Sequence, residues 1–278
     1  MTQTVERMLP LYEAKMLDIY DHRNADVVKS ETAGKRQNQP RYLSPAEHQD
    51  VNREPIPLAW VREELIPPGT PDWLIGFSDI TSSTNERTVK SAALPRAGVG
   101  NTYPLVNGMR RALILSQTNS FVLDFVARQK VAGLHLNFIY VKQFPLLPPA
   151  SFERPCPWAL SEGLDEWVIR RVVHLSCTSR SMRPMARELL SEGRTFAWDA
   201  AEREILMAEL DAAMFHLYRI PREDVDYIME TFPIVRRKDE ATFGSFRTKE
   251  LILEVFDAMQ EAVDAGRDYR SPLENELA

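Results

Sequence analysis

The sequence predicts an α+β protein, with a small mixed sheet packed on a long helix and then a mainly helical C-terminal region. Three observations carry this. The composition, 44% hydrophobic and 27% charged, is that of a globular chain and excludes disorder for most of it. Short apolar runs, bounded by turn residues and proline, crowd the first half. Past residue 160, apolar residues recur at helical spacing. At about 100–200 residues per domain, 278 residues divide into a target-recognition-like α/β part, 1–150, and a helical part, 151–278.

Residues 30–56 are polar and aperiodic and are expected to form a loop or insertion. Pro67-Pro68-Gly69 breaks the apolar run that precedes it. Residues 73–80 are aromatic-rich and predict a strand, 81–85 a turn, and 87–94 the partner strand. Pro95, Gly98, Gly100, Pro104 and Gly108 mark 95–108 as a loop. The periodicity predicts one helix over 109–129, stopped by Gly133. Partial alternation predicts a strand over 134–144, ended by proline. Helices are expected over 164–178 and 182–190, then from an Asp199 N-cap to Pro221, over 222–230 and over 248–262. The polar tail from Gly266 is expected to fray.

The net charge is −6, which taken whole disfavours a nucleic-acid binder. It is unevenly spread: residues 1–150 hold 17 Lys/Arg against 15 Asp/Glu, and 151–278 hold 17 against 25. Residues 80–142 carry Arg87, Lys90, Arg96, Arg110, Arg111, Arg128, Lys130 and Lys142 against Glu86 and Asp124 alone. Clustered cations favour phosphate binding through counterion release, and Arg suits bidentate guanine contacts. Asn85, Gln117, Asn119 and Gln129 add amides able to pair with adenine edges. The competing reading is that this basic surface pairs with the acidic second half.

Signatures of catalysis are missing. No glycine-rich phosphate loop follows a strand, and there is no HExxH, CxxC or GxSxG motif. Glu13-Ala14-Lys15 spells half of a nuclease metal site but lacks the upstream acid, so a metal-dependent nuclease using Glu13 and Lys15 is a minor alternative. The histidines are scattered, and a hydrogen-bonded core role is expected for His174 and His216. Cys156 and Cys177 alone form neither a disulfide framework nor a zinc site, which suits a reducing, cytoplasmic setting. No uncharged stretch reaches the ~18 residues of a membrane helix, and the charged N-terminal residues do not read as a signal peptide.

Four blocks, in order, resemble the C-terminal portion of fused type II restriction-modification and phage-defence methylases, which methylate adenine N6 in DNA. The first is Leu9-Pro10-Leu11-Tyr12-Glu13-Ala14-Lys15-Met16 with Asp21-His22-Arg23. The second runs from Phe77-Ser78-Asp79-Ile80 through Thr84-Asn85-Glu86-Arg87-Thr88 to Leu94-Pro95. The third combines Asn119-Ser120, Asp124, Arg128, Gly133, Leu136-Asn137 and Gln143-Phe144-Pro145 with Leu147-Pro148-Pro149. The fourth combines Phe196-Ala197-Trp198-Asp199, Glu209-Leu210-Asp211, Thr231-Phe232-Pro233 and Gly244-Ser245-Phe246-Arg247. The resemblance spans about residues 9–257.

In that family this region docks on double-stranded DNA and sets the sequence read. The resemblance therefore implies DNA contacts at Asn85, Arg87, Lys90, Arg128, Lys130 and Lys142, with Arg96, Arg110 and Arg111 from the same basic stretch. For Arg87 it leaves open a bracing role through Asp79 or Glu86. The glycine-rich cofactor motif and the Asn-Pro-Pro-Tyr type motif that holds a flipped adenine are both missing, and Pro155-Cys156-Pro157-Trp158 is no substitute. The expectation is a fragment, split subunit or truncated product. S-adenosylmethionine is implied only for a separate methyltransferase domain or subunit. A helical scaffold that packs on that domain, with little DNA contact, is the companion expectation.

Overall fold

A computed structural model describes residues 6–29 and 38–273. In chain order its strands and helices are β1 (Met8–Tyr12), β2 (Ala25–Lys29), β3 (Asn38–Tyr42), α1 (Pro45–Gln49), β4 (Trp60–Arg62), β5 (Trp73–Phe77), β6 (Ser91–Pro95), β7 (Gly98–Val99) and β8 (Leu105–Val106). There follow α2 (Arg111–Thr118), α3 (Phe121–Lys130), α4 (Phe138–Val141), β9 (Pro155–Cys156), β10 (Ala159–Gly163), α5 (Leu164–Ser176) and α6 (Arg183–Leu190). The last four are α7 (Ala200–Leu217), α8 (Arg222–Glu230), α9 (Pro233–Phe243) and α10 (Arg247–Ala265). The class is α+β. No described helix is long and apolar enough to cross a membrane.

The chain divides into two compact units whose segments interleave. Unit 1 takes residues 1–80, 90–111 and 173–198; unit 2 takes 81–89, 112–172 and 199–278. The boundary expected near residue 150 falls inside unit 2.

Unit 1 holds three small sheets. β1 pairs antiparallel with β4 and parallel with β7, which makes that sheet mixed. β5 lies between β6 and β8, antiparallel to both. β2 and β3 form a ribbon in register from Ala25 opposite Tyr42 to Lys29 opposite Asn38. That ribbon and α1 correct the expected loop at 30–56, of which 30–37 lie outside the described residues. The polar side chains of β3 hid it, because a two-stranded edge ribbon buries little of its surface. Ser44 and Glu47 form a reciprocal capping box at α1, a start signal present in the sequence. Tyr12, Met16, Val27, Leu74, Ala92, Leu94 and Tyr103 form a core cluster. The buried Tyr103 hydroxyl accepts the Ala92 N–H at 2.8 Å and lies 2.8 Å from the Gly76 carbonyl. A Cβ on Gly76 would meet the Tyr103 ring at 2.5 Å, so β5 needs glycine here for the ring to approach.

Unit 2 is mainly helical and also holds the antiparallel β9–β10 ribbon. The expected single helix at 109–129 is two helices. Ser120 is extended at ψ 149° and its hydroxyl caps the first turn of α3, so the Asn119-Ser120 pair breaks the run. The expected strand at 134–144 is instead a single turn, α4, whose Ile139 N–H bonds the Asn137 side chain at 3.0 Å. No strand pairs with it among the described residues, so its β-favouring side chains have no sheet to join. The partner strand expected at 87–94 is shorter, β6, and Arg87–Val89 belong to unit 2.

α10 packs along α7, burying Leu206, Leu210 and Met214 with Ile252, Phe256 and Met259. α7 begins on the Asp199 cap as expected, but it ends at Leu217; Pro221 instead precedes α8. α9 had no counterpart in the sequence reading. The tail after Gly266 does not fray over 267–273. The Tyr269 N–H bonds the Trp158 carbonyl at 2.8 Å, its hydroxyl bonds Glu209 at 3.0 Å, and Leu273 is buried.

Candidate nucleic-acid interface

The nine basic and amide residues singled out in the sequence divide between the two units. In unit 1, Lys90 pairs with Asp18 at 2.9 Å and Arg96 with Glu63 at 3.3 Å. Arg111 stacks on Trp73, donates to its carbonyl at 2.7 Å and pairs with Glu188 at 3.0 Å. Arg110 takes a left-handed backbone, φ 60°, at the entry to α2. The carboxylates that meet Lys90, Arg96 and Arg111 all lie outside 80–142, which is why counting charge along that stretch overstated its potential.

In unit 2, Arg87 and Arg128 converge on one buried carboxylate, Asp124. Arg87 Nε donates to it at 2.8 Å and Arg128 Nε at 3.2 Å. The backbone N–H groups of Thr88 and Val89 donate to it as well, at 3.0 and 3.3 Å. Both guanidinium groups also lie over phenyl rings, Arg87 on Phe121 and Arg128 on Phe232. Arg87 donates in addition to the Asn119 carbonyl, and Arg128 to the carbonyls of Asn85 and Glu86 at 2.6 and 2.7 Å. Arg87 is thus a brace, through Asp124 rather than through Asp79 or Glu86. Burial pulls the Arg128 pKa below the ordinary guanidinium value, with Asp124 opposing.

This knot holds the loop 81–86 from beneath. Thr81 N–H bonds the Leu134 carbonyl at 3.0 Å, the Thr81 hydroxyl bonds the Thr88 carbonyl at 2.6 Å, and Ser82 caps Thr84 at 3.2 Å. Thr84 and Asn85 are exposed at the tip, and Lys130 and Lys142 are exposed on unit 2.

Sequence reasoning missed one further basic element. α9 carries Arg236, Arg237 and Lys238, all exposed. Lys238 pairs with Glu86 of the loop, while Arg236 is held by Glu230 and Glu240. The three consecutive cations are visible in the sequence, but lay inside a half whose net charge is acidic.

The other motifs are structural. Arg23 is fully buried and donates to the carbonyls of His48, Asp50, Arg53 and Thr178 at 2.7–3.0 Å. His48 Nε2 meets Asp21 at 3.1 Å. His22 Nε2 lies 2.9 Å from the Ser179 hydroxyl and 3.5 Å from Glu54. Hydroxyl and acid thus share one ring nitrogen, whereas a nucleophilic triad places them on opposite nitrogens. Lys15 is paired with Glu13 at 3.1 Å, and no metal-binding group of three or more His, Cys, Asp or Glu occurs among the described residues. Cys156 and Trp158 are buried, and their stretch offers no amide or carboxylate to an adenine amine. A cleft of about 380 Å³ in unit 1 is walled in part by Arg7, Glu63 and Arg96, with Glu63 paired to both arginines.

Comparison with protein-family models, with curated proteins and with solved structures finds no similarity to report.

Asp124→Ala would leave the buried Arg87 without its carboxylate. We expect a loss of about 3–5 kcal/mol, the cost of breaking a buried pair from one side, read from urea unfolding; an unchanged midpoint contradicts the bracing role. Nearby, the buried Asp211 accepts the Phe121 N–H at 2.7 Å. Burial pushes its pKa up to about 7, against the pull of Arg87 and Phe121. The native state therefore holds a proton that the unfolded chain, with its ordinary carboxylate, releases. Stability is lost as pH rises from about 4 through 7. Asp211→Asn keeps the acceptor without the charge, so its melting temperature should exceed the parent's by a few degrees at pH 8, a gap that closes toward pH 4. A gap independent of pH excludes the assignment.

Proposed function

We propose that this chain is the DNA-binding target-recognition portion of a restriction-modification or phage-defence adenine-specific DNA methyltransferase. A separate catalytic domain or subunit would carry S-adenosylmethionine and the N6-methylation. The observation that supports this best is the loop at 81–86. It presents a polar tip, Thr84 and Asn85, on a base fixed by Asp124, and it is bordered by cations from α9. A rigid base matters because base readout requires donors and acceptors held in register with the groove. In this reading Asn85 is a base-reading candidate, while Lys130, Lys142, Arg237 and Lys238 contact phosphate. Arg87 and Arg128 act beneath the loop as positioning residues.

A companion reading is favoured by unit 1. Ile56, Leu58, Trp60 and Leu65 are exposed within ten residues that also contain Glu63 and Glu64. Large apolar side chains exposed this close together in sequence suit a protein face. We assign it to docking on the methyltransferase partner.

Two measurements separate these roles. Binding of the purified chain to duplex DNA should weaken linearly in log–log form with salt. Lys130→Ala, Lys142→Ala and Arg237→Ala should each lower the slope by about 0.9; no binding at low salt, alone or with the partner subunit, sinks the proposal. Trp60→Ser should weaken co-purification with the methyltransferase subunit while leaving the DNA titration unchanged. Intact co-purification removes the docking face.

A further inference from the structure

We propose that the segment 134–139 is an apolar wedge that enters between DNA base steps and unstacks them. The inference rests on the DNA-binding reading above and gives it a mode. Leu134, Phe138 and Ile139 are 67%, 44% and 70% exposed, while Leu136 between them is fully buried. Much apolar surface is therefore exposed within six residues, on a backbone anchored from below, and covering that surface is favourable.

The anchoring is specific. The Leu134 carbonyl accepts the Thr81 N–H at 3.0 Å, which ties the segment to the base of the polar loop. Asn137 caps the single turn of α4, and the Gln143 amide donates to the Ile139 carbonyl at 2.8 Å. Phe138 and Ile139 are therefore held on a fixed turn beside the loop that carries Asn85.

Charge chooses the occupant. Residues 130–142 begin and end on exposed lysines and contain no carboxylate. The stretch 56–65 instead mixes Arg62 with Glu63 and Glu64, and its charges are taken up in ion pairs. Cations flanking an apolar point match a phosphate backbone on either side of a base step. Proteins that bend DNA use Phe, Leu and Ile in this way, spending unstacking energy to gain contact area.

The test needs no knowledge of the sequence read. A perfect duplex and the same duplex with one central mismatch, already partly unstacked, are titrated with the full chain by fluorescence anisotropy. A wedge spares part of the unstacking energy on the mismatched duplex, so the parent chain should prefer it by about tenfold. A 2-aminopurine beside the mismatch should brighten on binding. The double variant Phe138→Ala/Ile139→Ala, whose folding is checked by circular dichroism, should still bind but lose both the preference and the fluorescence rise. Equal affinity for the two duplexes, or a preference that survives in the double variant, overturns the wedge and leaves the DNA reading standing. So does a double variant that loses only its affinity for the methyltransferase subunit, since the face would then belong to a protein. Failure of the parent chain to bind either duplex overturns both.

Discussion

One buried carboxylate organises unit 2. Asp124 accepts from two arginines and from two successive backbone N–H groups, and without it the segment 87–89 has no reason to lie against α3. A carboxylate buried alone would be prohibitively costly, and so would either guanidinium. Together, with aromatic faces over both arginines and backbone carbonyls filling their remaining donors, the three charges satisfy one another. The rest follows from the geometry. Arg128 fixes the carbonyls of Asn85 and Glu86, which orients the loop; Thr81 fixes Leu134, which orients the segment carrying α4.

This arrangement changes what the basic stretch means. Arginine serves phosphate recognition and buried bracing for the same reason, a planar fork that matches oxygen acceptors. Composition cannot tell the two uses apart. In this chain Arg87, Arg111 and Arg128 direct their donors to the protein itself, while Lys130 and Lys142 remain toward solvent.

The sequence was most legible where local chemistry decides structure. Asp199 announced α7, and the spacing of Leu251, Ile252, Val255 and Phe256 announced α10. Strand β5 was plain from its aromatic run. It was least legible where the deciding partner is distant. The break at Ser120 depends on Asp211 receiving the freed Phe121 N–H, 90 positions away. The turn at 138–141 looks like a strand by propensity and fails for want of a neighbour. Arg87 was singled out by its motif, but its partner lies 37 positions further along the chain, whereas the two acids that adjacency suggested precede it. The charge argument erred for the same reason: Asp18, Glu63 and Glu188 are near in space only.

The interleaving of the two units bears on how the chain is made. Arg23 is synthesised early, and one of its four carbonyl acceptors, Thr178, emerges more than 150 residues later. His22 likewise waits for Ser179. Unit 1 therefore cannot close its own interior until residues 173–198 have emerged, and must hold an incompletely paired arginine until then. Non-local pairing of this kind slows folding and prolongs exposure of apolar surface.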